Sequence, residues 1–246
     1  GSTVTLGKSS SQIIRDEELE LNAGDKGLNY SGISERRIYM HKLKVPAGGT
    51  YHIQLSDGTK VWINADSEME FPSAFNGKER KIILHGEGYF EVAKDASKPF
   101  RVVVDGTTIE AIGTAFNINS HRKEGFVKTI LTEGKIKVTN KGAEDIINAG
   151  YATISGNGKI DIKKADIEEA LAWKDGYFYF TEKNIDEILG DVSRWYNINL
   201  KIESSLSSEK YHGGIKRTES ILKVCKMLEE LSGHTLTLQN KTLIVK

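Results

Sequence analysis

The segment Glu87–Phe100, EGYFEVAKDASKPF, decides how the rest of the chain is read. Phe90 and Val92 alternate with Tyr89 and Glu91, the period of a strand. Pro99-Phe100 follows a polar turn, and proline, having no N–H, suits an edge or a turn. Phe90, Val92 and Phe100 are therefore expected to fill a β core, with Tyr89 and Glu91 facing outward or toward a neighbouring coil. Glu87 and Glu91 raise another possibility, a catalytic carboxylate pair. Residues four apart in a strand stand about 13 Å apart at ~3.3 Å per residue. A glycosidase pair needs roughly 5–9 Å. Unless neighbouring strands add carboxylates, the two acids read as charge on a wet strand face.

The same alternation extends from 38 to 163. Val61 and Ile63 alternate with Lys60, Trp62 and Asn64. Ile109–Ile112, Ile136–Val138 and Ile160–Ile162 repeat the pattern. Turns recur at Asp57-Gly58-Thr59, Asp105-Gly106-Thr107, Glu133-Gly134-Lys135 and Asn157-Gly158-Lys159, where glycine supplies positive φ. Their spacing is too uneven for a strict repeat. The pattern predicts an irregular β-solenoid or sandwich. Residues 1–37 are polar and weakly periodic, with Ser9-Ser10-Ser11 and Gly24, Gly27 and Gly32. They read as a lead-in of loops and one or two short strands, and Gly1-Ser2 as a cloning scar.

At 165 the pattern changes. Asp166 and Glu169 are spaced as a capping box opening a short helix, which Gly176 ends. Tyr177–Phe180 is a strand. Asn184 and Glu187 form a second box, followed by Ile185, Ile188, Leu189, Val192 and Trp195 on one helical face, with Asn197 as the stop. Strands follow at 198–202 and 210–215. Thr218 is placed to cap a third helix that turns Ile221, Val224, Cys225, Leu228 and Leu231 inward and stops at Gly233. Two closing strands meet at Asn240-Lys241. The division is 1–37 lead-in, 38–164 β domain, 165–176 linker helix and 177–246 a βαββαββ α+β domain.

Composition narrows the function. The 246 residues have zero formal net charge, and neither half has a basic excess suited to nucleic acid. The single cysteine, Cys225, permits no internal disulfide or cysteine-based zinc site, and its place on an apolar helix face reads as structural. No two of the six histidines share a helix face at i,i+4; His52 and His85 fall in strands without evident co-ligands. Ser155–Lys159 imitates the end of a phosphate-binding loop, but Thr153 stands where the first glycine belongs and Ile160 where the hydroxyl belongs. A hairpin turn fits better. No catalytic, metal or cofactor motif emerges.

Several segments, in order, resemble the FecR family of anti-sigma factors in its Bacteroidetes form. These are Val45-Pro46-Ala47-Gly48-Gly49, Leu55–Ala65, Phe71-Pro72, Gly86–Asp95, Lys98-Pro99-Phe100, Ile112–Ile118 and Glu133-Gly134. Ala149-Gly150-Tyr151-Ala152 departs from the family's usual Pro-Gly. Ala172–Phe178 and Arg194-Trp195-Tyr196-Asn197 resemble the domain that follows in such proteins, which is similar to the short N-terminal domain of secretins and TonB-dependent transducers. The resemblance implies a periplasmic region, preceded in the family by a cytoplasmic sigma-binding domain and one transmembrane helix. It implies docking to the signalling domain of an outer-membrane TonB-dependent (SusC-type) transporter, with a sigma factor as the other partner and glycan uptake as a frequent output. It implies neither enzymatic activity nor a cofactor.

Docking by strand addition needs an exposed edge. The candidates are Tyr211, Gly213, Gly214, Ile215 and Lys216, where two glycines bare the backbone, and the last strand, Thr242, Leu243, Ile244 and Val245. Charge at Ile215 or Leu243 is expected to weaken binding. Gly213-Gly214 also suits a plain β-bulge. Two competing readings are a carbohydrate-active β-solenoid enzyme, which needs a cleft of several carboxylates, and a structural module of a secretion assembly, which needs ring oligomers.

Overall fold

A computed structural model describes residues 27–30, 37–121 and 125–246, together with the backbone of 12–16 and 19–24. The loops expected at Ser9–Ser11 and Gly32 lie outside the described residues. The chain winds between two sheets. It begins in the first with β1 (Gln12–Asp16), β2 (Leu19–Gly24) and β3 (Gly27–Asn29), then opens the second with β4 (Met40–Val45). It returns with β5 (Tyr51–Gln54) and β6 (Lys60–Ile63), crosses with β7 (Ser67–Pro72) and β8 (Arg80–His85), and comes back with β9 (Glu87–Glu91). β10 (Phe100–Val104) and β11 (Thr107–Ala111) join the second sheet, β12 (Ala115–Asn119) and β13 (Val127–Glu133) the first. β14 (Lys135–Asn140) and β15 (Ala143–Asn148) end the second sheet; β16 (Tyr151–Gly156) and β17 (Lys159–Lys164) end the first.

Strand order in both sheets therefore follows chain order, as in a solenoid, while the two sheets face each other as in a sandwich. β9 crosses alone rather than as half of a hairpin, so β8 and β10 run parallel whereas their other neighbours are antiparallel. Two-residue loops at Asp105-Gly106 and Asn157-Gly158 close hairpins with positive φ at both positions, matching the right-handed strand twist. The core between the sheets takes Ile63, Phe90, Phe116 and Leu131 from one side and Phe71, Leu84, Phe100 and Val102 from the other. Full burial of each such side chain stabilises by roughly 1.5–3 kcal/mol. Phe90, Val92 and Phe100 sit in this core as expected.

The remainder comprises α1 (Ile167–Ala172), β18 (Tyr177–Lys183), α2 (Ile185–Tyr196), β19 (Asn199–Ile202), β20 (Tyr211–Lys216), α3 (Ile221–Ser232), β21 (Leu236–Gln239) and β22 (Thr242–Val245). After α1 the order is the expected β-α-β-β-α-β-β. β18 pairs with β20, while β19, β22 and β21 form a second small sheet. α2 packs on β18 and β19, α3 on β21, and one apolar cluster unites both helices with both sheets. α2 carries the full capping box at Asn184 and Glu187 and ends at Asn197 in the left-handed region. Two caps differ from the sequence reading. Asp166 accepts from Glu168 N, but Glu169 turns away to the Lys128 ammonium instead of reaching back. α3 is capped by Ser220, not Thr218, because Arg217 and Thr218 form the turn that leaves β20.

Candidate functional site

β20 keeps a free edge. Among the described strands it pairs only with β18, and His212, Gly213, Gly214 and Lys216 are exposed along it. Tyr211 and Ile215 point into the core instead. Gly213 (φ +152°) lies over the Phe180 ring, whose Cε2 would stand 3.3 Å from an added Cβ. Gly214 lies across from Tyr179, whose Cδ2 would stand 3.9 Å from an added Cβ. The pair does contain a bulge, but it falls between Phe180 and Lys183 on β18, next to the glycines rather than at them.

β22 has no such edge. It lies between parallel β19 and antiparallel β21, bonded on both sides, with Leu243 and Val245 in the core. Thr242, Leu243, Ile244 and Val245 therefore offer no open backbone for strand addition. The last strand in sequence is the middle strand in space, because parallel β19 pairs with it on one side and antiparallel β21 on the other. Ile215 is 5% exposed and Leu243 0%. Charge at either would disrupt the core before it could report on docking.

The opening segment leads to a second feature, the seam between the sandwich and the α+β module. Glu87 is buried, 8% exposed. Its Oε2 accepts from Asn64 Nδ2 at 2.6 Å and its Oε1 from Asn117 Nδ2 at 3.0 Å. With both amide nitrogens turned to the carboxylate, both amide oxygens are left to accept. Asn117 Oδ1 receives Trp173 Nε1 (3.0 Å), and Asn64 Oδ1 receives Arg217 Nη1 (2.8 Å). One buried chain of hydrogen bonds thus runs from the module through the sandwich to the end of α1. Glu87 therefore stands not on a wet strand face but inside the seam, with one side-chain amide donor on each carboxylate oxygen. Tyr89 is covered as well, packing on Ala115 and Trp173, and Lys174 Nζ sits 4.1 Å from the Trp62 ring centre and 3.8 Å from Glu91.

Charges surround this chain. Lys183 pairs with Asp191 at 2.8 Å, and Arg194 also binds Asp191. Burial raises the Asp191 pKa, but Lys183 and Arg194 outweigh it and hold the carboxyl at about 2. Burial, aided by Arg194, pushes the His121 imidazole down against the pull of Glu87, Asp66 and Asp191. A cavity of about 40 Å³ lies among Glu87, Asn117, Lys128, Lys183, Asp191 and Arg217. At ~10–15 Å³ each it has room for about three or four water molecules.

Of the other residues weighed from sequence, His52 lies against Trp62 with ring centres 4.5 Å apart and planes tilted by 33°, and His85 Nδ1 stands 3.9 Å from Asp105. Among the described residues no group of three His, Cys, Asp or Glu side chains is placed to hold a metal. Cys225 is buried, which pushes its thiol pKa up. Asn157-Gly158 is the hairpin turn between β16 and β17. Asn64, Asn117, Trp173 and Arg217 were not foreseen as a group. The available signal was an Asn set among apolar strand residues, as in Phe116-Asn117-Ile118.

Residues 41–137 match the family described as FecR protein, and residues 177–245 match that described as FecR, C-terminal. Two crystal structures of a proposed anti-sigma factor from Parabacteroides distasonis ATCC 8503 share the fold. Each is 23% identical, with a TM-score of 0.77, and the match covers 84% of this chain and 98% of the other. No protein of curated function matches. Among the described residues no helix is long and apolar enough to cross a membrane.

Proposed function

The chain belongs to the FecR family, and from that premise we propose that it is the periplasmic, signal-receiving region of a membrane-anchored anti-sigma factor. Its α+β module docks the N-terminal signalling domain of an outer-membrane TonB-dependent transporter of SusC type. A cytoplasmic domain passes the signal to a sigma factor. The likeness of fold to the Parabacteroides distasonis protein supports this reading. So does the placement of Glu87, one of the two carboxylates weighed as a catalytic pair, inside a hydrogen-bonded seam.

The observation that carries the docking step is the free edge of β20, with its backbone bare at Gly213-Gly214. An added strand gains main-chain hydrogen bonds there and takes its specificity from what lies beside them. On this edge those neighbours are Tyr179 and the exposed Lys216. The test is calorimetric titration of the chain with the purified N-terminal domain of a SusC-type TonB-dependent transporter from the same organism. Gly214→Asp combined with Lys216→Glu is expected to weaken binding at least about tenfold, ~1.4 kcal/mol, at unchanged melting temperature. Undiminished affinity removes the β20 edge from the mechanism; no binding by the unaltered chain removes the transporter.

A further inference from the structure

The sandwich and the α+β module do not share an apolar core. One cluster runs from Leu28 to Ile147 and the other from Phe178 to Val245. Helix α1 touches both bodies: Trp173 packs on Tyr89 and Ala115 and Ala170 on Ile130 and Ala152, while β18 of the module lies against the same helix and Tyr179 Oη donates to Asp166 (3.2 Å). Beyond α1, the contacts between module and sandwich are polar. Arg217 Nη1 binds Asn64, and Gly48 lies close under the Trp195 carbonyl. Polar groups like these regain water when they part, so such a seam opens more readily than an apolar one. The chain between the two bodies passes through Gly176, at φ +83° with open space where a Cβ would stand.

We infer that Arg217 is a latch: through Asn64 and Glu87 it holds the module closed on the sandwich, and its release lets the module swing about Gly176 while both cores stay intact. The surroundings of Arg217 suit reversible opening. Its guanidinium lies 4.7 Å from the ring centre of Trp195 and 5.1 Å from that of Phe178, both in its own module, so it stays stacked when Asn64 lets go. On the other side, Glu87 keeps Asn64 and Asn117 as donors. Arg217 directly follows β20, and its backbone N–H donates to the Gly176 carbonyl (2.8 Å). A strand added to β20 therefore acts next to both latch and pivot. Only that choice of trigger rests on the docking reading above.

Spin labels on Glu144→Cys in β15 and Lys226→Cys in α3, in a Cys225→Ala chain, report the separation of the two bodies by double electron–electron resonance. One narrow distance is expected for the closed chain. Arg217→Met keeps the apolar stem on Trp195 but removes the hydrogen-bonding fork, and should broaden the distribution without lowering the melting temperature. Asn64→Leu removes the same bond from the sandwich side, together with the amide donor to Glu87, and should broaden it at least as much. The double variant should broaden it no further than Asn64→Leu alone, because the Arg217–Asn64 bond is already lost there. An unchanged narrow distance in both single variants overturns the latch. So does loss of cooperative melting in both, which makes the network a structural necessity. No partner is present in this experiment, so its failure leaves the docking reading standing, and failure of the calorimetric test leaves the latch standing.

Discussion

Arg80 is 1% exposed, and every direction of its guanidinium is used. Nη1 donates to Asp57 Oδ2 (2.7 Å) and to the Ala93 carbonyl (2.8 Å), Nε donates to the Lys98 carbonyl (2.8 Å), and the Phe100 ring lies 5.5 Å from Cζ. One side chain thus fixes the Asp57-Gly58 turn and the loop from Ala93 to Pro99 against β8. Removing one partner of a buried ion pair strands the other, at a cost of about 3–5 kcal/mol. Arg80→Met should lower the free energy of unfolding by about that amount in urea denaturation; a loss below ~1 kcal/mol would place the pair with weak surface bridges. In the sequence, Arg80 stands between Glu79 and Lys81 and looks like one more solvated charge. Its partners are mainly carbonyls of a distant loop, and no local pattern records them. Glu87 was opaque for the same reason: a strand alternation shows which side a residue faces, but not that α1 and Arg217 come back to cover that side.

At the scale of elements, what was legible is what is local. The turn glycines, the Asn184–Glu187 box and the Asn197 stop are chemistry within a few residues, and each is found where the pattern put it. The cap of α3 was misplaced because two residues were already committed to the turn after β20. Ser220 accepts from Lys223 N, whereas Thr218 lies in that turn. Ser220→Ala should therefore cost about 1 kcal/mol in thermal melts, and Thr218→Ala almost nothing; the reverse order would put the cap at Thr218 after all. β22 was misread as an edge because a parallel partner leaves no hairpin signal. α2 carries an acid dependence of its own. Asp191 is held at about 2 in the folded chain, and an unfolded aspartate titrates near ~3.9. Its stabilising contribution is fully present above about pH 4 and is lost as pH falls toward about 2. Melting temperature followed from pH 5 to pH 2 should drop less steeply in Asp191→Asn than in the parent. Identical slopes would mean that Lys183 and Arg194 contribute nothing through this carboxylate.

For the whole molecule, periodicity was enough to predict a wound β body followed by a βαββαββ module, because each repeat of the pattern reports on its own strand. The seam between them was not readable, since Asn64, Glu87, Asn117, Trp173 and Arg217 come from five separate elements far apart in the sequence. Trp173 is the point where this assembly can be probed from the linker. Its ring fills the space between Tyr89, Ala115 and Leu171, and its Nε1 satisfies Asn117. Trp173→Ala opens a gap worth about 3–5 kcal/mol and leaves a buried amide oxygen without a donor. That loss falls on the docking of α1, because the sandwich keeps its own core without Trp173. Lys174 next to it, now packed on Trp62, becomes accessible. Limited trypsin digestion should cut Trp173→Ala after Lys174 much faster than the parent, while the thermal transition of the sandwich keeps its position. If cleavage there is no faster, α1 is held by something other than Trp173. If the sandwich unfolds with it, linker and sandwich are one cooperative unit, and any swing of the module must begin beyond Gly176 rather than in the helix.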